Sequence, residues 1–230
     1  MKISIIIPVL NESARIEKLI NLLEELDGDK EIIISDGGST DGTLQKLEKF
    51  CGVKIVKAHS GRAAQMNEGA KNSTGDILWF LHADSIPAKT SIHDITQVIK
   101  NGSLGGFFKL YFYDADDKFM NFIARTSHTR AKNFCLIFGD QGLFLRRDVF
   151  FELGGFADLA LMEDWEISRR LKNFHKQGYI CALDTEIGTS ARRYIKNGRI
   201  KTWLKMNVIK FLYIIGISTK FLRFLYDGRK

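Results

Sequence analysis

The chain has 230 residues, 45% hydrophobic and 27% charged, enough for one sizeable domain with a full core and a tight fit for two. Its three cysteines, Cys51, Cys135 and Cys181, are odd in number and widely spaced, which argues against a disulfide framework or a CxxC metal site and points to a reducing compartment. The formal net charge of +7 is uneven: from Arg192 onward eleven basic residues stand against one acid, Asp227, and the rest of the chain is mildly acidic.

Lys2 to Val9 (KISIIIPV) is a β-branched apolar run that predicts a buried first strand closed by Pro8. It lacks the longer apolar core and small-residue cleavage site of a signal peptide, so the chain is expected to stay in the cytoplasm. Asn11-Glu12-Ser13 offers caps for an amphipathic helix over Ala14–Leu26. Glu31–Ser35 is a second strand, ending in Asp36-Gly37-Gly38-Ser39-Thr40-Asp41-Gly42-Thr43 before a helix through Leu44, Leu47 and Phe50, and Val53–Val56 is a third. Ser60–Ala70 is a loop feeding a short helix.

The next stretch, Ile77 to Leu81 and then Ala83, is apolar except for His82, as suits a strand buried on both faces of a parallel sheet. It stops at Asp84, Ser85 and Pro87, at the strand end where open α/β sheets bind ligands. Asp84 is therefore a candidate metal ligand, the alternative being a turn cap. The alternation so far predicts a parallel sheet with right-handed crossovers, a nucleotide-binding half-fold. No GxGxxG follows the first strand and no GxxxxGK[ST] occurs, against a dinucleotide site or a P-loop.

A helix over Thr90–Lys100, a strand over Gly105–Phe112 and a polar helix over Asp117–Lys132 follow. Gly139–Arg147 reads as a short strand with a glycine-rich entry, and Arg147–Leu153 as a helical turn halted by Gly154-Gly155. Met162–Glu166 opens another helix, where Glu163 and Asp164 either complement the helix dipole or do chemistry. Residues 196–230 form a basic amphipathic helical segment, too apolar for a nucleic-acid arm and interrupted by Lys205, Lys210 and Lys220 before it can span a bilayer. It suits a membrane surface. The alternatives are packing on the domain or burial in a homodimer.

SIIIPVLNE (Ser4–Glu12), SDGGSTDGT (Ser35–Thr43), the Gly61–Gly69 segment, LHADS (Leu81–Ser85), GDQGLFLRRDVFFELGGF (Gly139–Phe156) and MEDWEISRRL (Met162–Leu171) together resemble a family 2 glycosyltransferase. GRAAQMNEGA, LHADS and TSARRY (Thr189–Tyr194) most resemble a compact bacterial subgroup of it. The resemblance implies an α/β GT-A fold, with a mostly parallel central sheet flanked by helices, over residues 1–195, divided into a nucleotide-binding half (1–88) and an acceptor half (89–195), plus a C-terminal amphipathic helix. It implies inverting sugar transfer from a UDP- or GDP-linked donor to an acceptor hydroxyl, with Mn2+ or Mg2+.

On that resemblance Asp36 holds the base, Pro8 and Glu12 line its pocket, Gly37 and Gly38 admit the ligand, and Arg62 reaches base or phosphate. Asp84 matches the last acid of the family's metal-binding DxD, but the first acid is replaced, so the site reads His82-x-Asp84. His82 either joins the metal or hydrogen-bonds the donor or nearby backbone. Asp164 is the implied general base, with Glu163 orienting the acceptor or tuning Asp164 by like charge. Asp140 and Gln141 face the acceptor. Arg192 and Arg193 bind the donor diphosphate or a lipid acceptor's phosphate, or are simply solvated. With the basic tail, this implies a peripheral enzyme on the inner face of the cell membrane acting on a lipid-linked or other amphiphilic acceptor. One alternative is a non-catalytic donor-binding partner at the membrane, favoured by the replaced acid. The other, a sugar-phosphate nucleotidyltransferase, needs a basic glycine-rich loop where Pro8–Glu12 is apolar and acidic.

Overall fold

The computed structural model describes residues 1–174 and 178–228. Strands β1 (Ile3–Val9), β2 (Lys30–Asp36), β3 (Val53–Lys57) and β4 (Ile77–Phe80) alternate with helices α1 (Ile16–Glu24), α2 (Thr43–Leu47) and α3 (Arg62–Lys71). They pair in parallel in the order β3-β2-β1-β4, as the alternation predicts. The chain continues through β5 (Ile86–Pro87), α4 (Ser91–Lys100), β6 (Ser103–Phe112), α5 (Lys118–Phe134), β7 (Phe144–Arg146), α6 (Arg147–Glu152), α7 (Glu163–Asn173) and β8 (Tyr179–Thr189). β7 is antiparallel to β4 and β6, β8 parallel to β6, and β5 antiparallel to β8, completing an 8-stranded sheet, β3-β2-β1-β4-β7-β6-β8-β5.

β4 shows why its sequence is continuously apolar. Ile77, Trp79 and Leu81 enter the core on one face of the sheet, and Leu78 and Phe80 the core on the other. Trp79 is fully buried and stacks on Phe108 with centroids 5.3 Å apart. Pro8 is tolerated inside a central strand because the β1–β4 pairing stops at Ile6, whose carbonyl accepts from Leu81 N at 3.0 Å. The next residue facing that side owes no ladder bond.

The structure departs from the sequence pattern in three places. Asn11, Glu12 and Ser13 do not cap α1, which begins later at Ile16. Asn11 is left-handed (φ 57°), and the segment is tied to the loop after β2 instead, Asn11 N reaching Ser39 Oγ at 2.9 Å and Thr40 N reaching Asn11 Oδ1 at 2.8 Å. β8 arises where the pattern assigns no element. Its register on β6 shifts at Ser103/Gly105 and Phe107/Lys109, and such irregularities erase the period-two signal. The C-terminal helix expected over 196–230 is two, α9 (Arg199–Ile214) and α10 (Thr219–Asp227), broken near Gly216 (φ 86°), and a short α8 (Arg192–Asn197) precedes them across Gly198 (φ 85°).

One buried side chain fixes the strand ends that carry the site. Gln65 on α3, 3% exposed, donates from Nε2 to Val9 O and to Ser35 O, each at 2.8 Å. Gln65→Leu keeps the volume but removes both bonds, leaving Val9 O with Gly37 N as a donor; urea unfolding is expected to show a loss of about 1–3 kcal/mol.

Candidate active site

β1, β2 and β4 end on one edge of the sheet, and with the loops leaving them they carry Pro8, Glu12, Asp36, Gly37, His82 and Asp84. Asp36, 3% exposed, turns its carboxylate onto its own loop, accepting from Gly38 N at 2.9 Å and Ser39 N at 3.1 Å. Gly37 N donates to Val9 O at 2.9 Å, and a Cβ at Gly37 would stand 3.0 Å from the Gln65 amide. Glycine thus lets the loops after β1 and β2 close together. Glu12 pairs with Arg15 at 3.3 Å and with Arg192 at 3.6 Å, and the same Arg192 lies 3.5 Å from Asp84. One guanidinium therefore joins the loops after β1 and β4.

Asp84 faces Arg192 and accepts no hydrogen bond from its own turn among the described residues. The His82 ring lies against Gly139, where any Cβ would collide with it. Burial, helped by the Arg62 charge, holds His82 down to about 4 despite Asp84 and Asp164, so the imidazole is neutral at pH 7 with a lone pair to offer. Asp84 and His82 together offer one oxygen and one nitrogen donor, a set better suited to Mn2+ than to Mg2+. No cluster of three or more His, Cys, Asp or Glu side chains able to hold a metal occurs among the described residues. The pair therefore fits a cation that arrives with further oxygen ligands.

The loops before and at the start of α7 supply the opposite wall. α7 starts at Glu163, after Met162 in a left-handed conformation (φ 72°). Glu163, 3% exposed, meets Arg62 Nε at 3.0 Å. Burial pushes the Glu163 carboxyl up, Arg62 opposing and Asp164 reinforcing the rise. Asp164 is aimed by two backbone donors, Gly139 N to Oδ2 at 3.0 Å and Trp165 N to Oδ1 at 2.7 Å. Gly139 therefore touches both sides of the cleft, holding Asp164 with its N–H and packing the His82 ring against its bare Cα.

Asp140 follows in a short 3-10 turn. Its Oδ1 is shut off from solvent with no hydrogen-bond partner among the described residues. Burial pushes it up to about 6, Asp164 and Asp84 adding to the rise and Arg130 and Lys210 opposing it. Gln141 is fully buried; its Oε1 accepts from Arg130 Nη2 and Phe138 N, both at 3.3 Å, while its Nε2 has no partner among the described residues.

The two adjacent arginines diverge. Arg192 enters the cleft, whereas Arg193 stacks over the Tyr226 ring of α10 at 4.0 Å, where it lines a separate basic cleft of about 610 Å3 with Lys196, Lys201 and Lys205. Three residues in or beside the cleft escape the sequence reading. Gln65 carried a signal, being a polar residue at helical spacing from buried Gly69. Arg130 and Lys210 carried none, because only the tertiary fold brings α5 and α9 to the acids.

A mostly parallel, helix-flanked sheet with carboxylates collected at its strand ends is the GT-A glycosyltransferase architecture. The mannosyltransferase PcManGT from Pyrobaculum calidifontis, solved with GDP-Man and Mn2+, superposes with a TM-score of 0.69 at 17% identity, over 97% of this chain and 69% of that one. S. aureus TarS in complex with UDP-GlcNAc gives a TM-score of 0.64 at 20% identity, over 83% of this chain and 58% of that one. Residues 4–154 match the family model "Glycosyl transferase family 2", and the chain belongs to that family. The probable glycosyltransferase YdaM of Bacillus subtilis (strain 168) is 26% identical over 212 residues, 80% of this chain and 50% of YdaM. The chain spans about half the length of the curated relatives it matches, and less in some.

Asp140 makes the site's charge measurable. An acid raised from 3.8 to about 6 by folding contributes stability below the lower value and loses it as pH rises through the upper one. Asp140→Asn is expected to melt with the wild type below about pH 4 and a few degrees above it at about pH 8, as thermal melts across that range would report.

Proposed function

We propose that this chain is an inverting glycosyltransferase with a nucleoside-diphosphate sugar as donor and the hydroxyl of an amphiphilic, lipid-linked acceptor as nucleophile. The observation that carries this reading is the position of Gly139, whose N–H holds Asp164 while its Cα seats His82. The candidate base and the His82-x-Asp84 pair thereby share one cleft. The donors of two structural neighbours, GDP-Man in PcManGT and UDP-GlcNAc in TarS, support a GDP- or UDP-linked sugar here.

In this reading residues 1–88 hold the donor, 89–195 the acceptor, and 196–230 seat the chain on the membrane. Asp36, Gly37, Pro8 and Glu12 form the pocket for the base and ribose. Arg192 and the terminal nitrogens of Arg62 face the diphosphate, where guanidinium matches phosphate oxygens. Asp84 and His82 are the residues to hold Mn2+ or Mg2+, which when bound offsets the diphosphate charge. Asp164 takes the proton of the acceptor hydroxyl as its oxygen bonds to the anomeric carbon. The bond from that carbon to the diphosphate oxygen breaks on the opposite face, its electron pair leaving with the diphosphate, and configuration inverts. Glu163, held by Arg62, is a positioning residue for its neighbour Asp164.

The C-terminal helices support a peripheral membrane seat. On α9, Ile200, Leu204, Val208, Phe211 and Ile214 recur every three or four residues and are each 51–65% exposed, and Phe221 and Phe224 on α10 are 51% and 55% exposed. Lys201, Lys205, Lys220 and Arg223 flank this stripe, a pattern matched to anionic lipid and self-repelling between two copies. No helix among the described residues is long and apolar enough to cross a membrane. The remaining faces of α9 and α10 do pack on the domain through Ile209 and Leu222.

Calorimetric titration with UDP and GDP, each with and without Mn2+, is expected to show metal-dependent binding of one nucleotide that Asp84→Asn loses. Asp164→Asn is expected to keep that binding while kcat for transfer falls about 10²- to 10⁴-fold. Binding of no nucleotide under either condition would overturn the donor assignment and favour a non-catalytic partner.

Flotation with phosphatidylglycerol-containing vesicles is expected to carry the protein up, and pure phosphatidylcholine vesicles far less. Phe211→Glu should weaken flotation about tenfold or more. A wild type that ignores both vesicles but sediments as a dimer would assign the stripe to a second copy instead.

A further inference from the structure

α9 has an outer and an inner edge, and the inner edge delivers a cation to the acids. Lys210 Nζ stands 5.2 Å from the centroid of the Phe138 ring, on which the Arg130 guanidinium also lies, at 4.1 Å. Lys210 has no carboxylate within ion-pair distance among the described residues, although it feels the charges of Asp140 and Asp164. Arg130 is likewise without a carboxylate partner there; its donors go to Leu136 O, Ser127 Oγ and Gln141 Oε1. Beside Arg130 lies fully buried Gln141, whose Nε2 donor has no partner among the described residues.

Two partly buried cations that make no direct ion pair among the described residues and meet Asp140 and Asp164 only at longer range, beside a buried unpartnered amide donor, are an arrangement that an anion completes and a neutral sugar hydroxyl does not. We propose that Lys210, Arg130 and Gln141 Nε2 form an anion subsite next to Asp164, and that the acceptor carries a phosphate group close to the hydroxyl that Asp164 deprotonates. This deepens the glycosyl-transfer reading and rests on it for the word acceptor. The subsite itself is a property of these side chains. The basic cleft lined by Arg193, Lys196, Lys201 and Lys205 is a weaker rival. There Lys205 is spent on Tyr226 O at 3.1 Å, Arg193 is stacked on Tyr226, and Asp227 supplies a counter-charge. Burial keeps the Lys210 ammonium down to about 8, the direction expected of a cation awaiting an anion.

The test is calorimetric titration of the full chain, without nucleotide, using inorganic phosphate and glycerol 1-phosphate, in wild type, Lys210→Met, Lys201→Met and Arg192→Met. Saturable binding that weakens about tenfold in Lys210→Met, with little change in the other two variants, is the expected result. Circular dichroism of Lys210→Met establishes that it is folded, and Gln141→Leu supplies a second variant from a different element, expected to weaken binding as well. No saturable binding overturns the proposal. So does a loss confined to Lys201→Met, which places the anion in the basic cleft, or to Arg192→Met, which places it with the donor. A vesicle arm separates the sources of the phosphate: soluble titrant competing with phosphatidic acid vesicles for Lys210 marks a lipid headgroup, and titrant indifferent to them a soluble phosphomonoester. Nucleotide binding is measured separately, so its failure removes the glycosyl-transfer reading while leaving the phosphate result to stand or fall alone.

Discussion

The contact between Arg62 on α3 and Glu163 at the start of α7 spans the cleft, at 3.0 Å and with the carboxylate 3% exposed. A charge so enclosed is tolerable only while its partner stays in place, so the pair sets the spacing of the two walls. α3 reinforces it at two further points. Gln65 ties down the ends of β1 and β2, and Asn67 exchanges hydrogen bonds with Phe156, giving from Nδ2 to the carbonyl at 2.8 Å and accepting from the N–H at 2.9 Å. Every polar side chain of the Arg62–Asn67 segment thus joins α3 to a different stretch of backbone or to the acid pair. A short helix with small residues on its inner face is suited to this, because Ala63, Gly69 and Ala70 let it lie close on the sheet.

From that pair the rest of the cleft follows by contact. Glu163 places Asp164, Asp164 is held by Gly139 N, Gly139 accommodates His82 only because it lacks a Cβ, and Arg192 links Asp84 back to Glu12. The charges in this ring are imperfectly matched where a ligand is expected. Asp140, Lys210 and His82 are all driven toward their neutral forms by burial, which is the electrostatic signature of a functional site. In the proposed reaction a diphosphate on one side and an anionic acceptor on the other would supply the missing partners.

Much of this was legible in the chain. The strands β1, β2 and β4 are β-branched or continuously apolar because they are buried on both faces, while β3, at the edge of the sheet, carries exposed lysines; their alternation with helices fixes a parallel order. The acids at strand ends were legible for the same reason: Asp36 and Asp84 interrupt apolar runs where a ligand edge must be. What failed was local chemistry redirected by tertiary contact. Asn11 and Ser13 look like helix caps, yet they serve the neighbouring loop, with Ser13 N bonded to Asp41 Oδ2 at 3.1 Å. β8 was illegible because its bulged pairing leaves no alternation. Arg193 and Arg192 are adjacent in sequence, but the turn of α8 sends them to opposite duties, which no motif encodes.

The C-terminal helices were the least legible, since their apolar residues serve two surfaces at once. Ile209 and Leu222 pack on Leu161 and Met162, and Trp165 is wedged between Phe138, at 5.9 Å, and Tyr213, at 6.1 Å. These are the residues immediately flanking Glu163 and Asp164. A force that seats the outer stripe of α9 on a surface therefore acts through its inner edge on the backbone that aims the acids, with Lys210 carried by the same helix. Gly198, with φ 85°, breaks the chain between α8 and α9, so the two helices need not share one axis. In the proposed reading the tail is a wall of the acceptor site whose outer face is apolar, so that an acceptor with a lipid tail and a charged head would meet both faces of one helix.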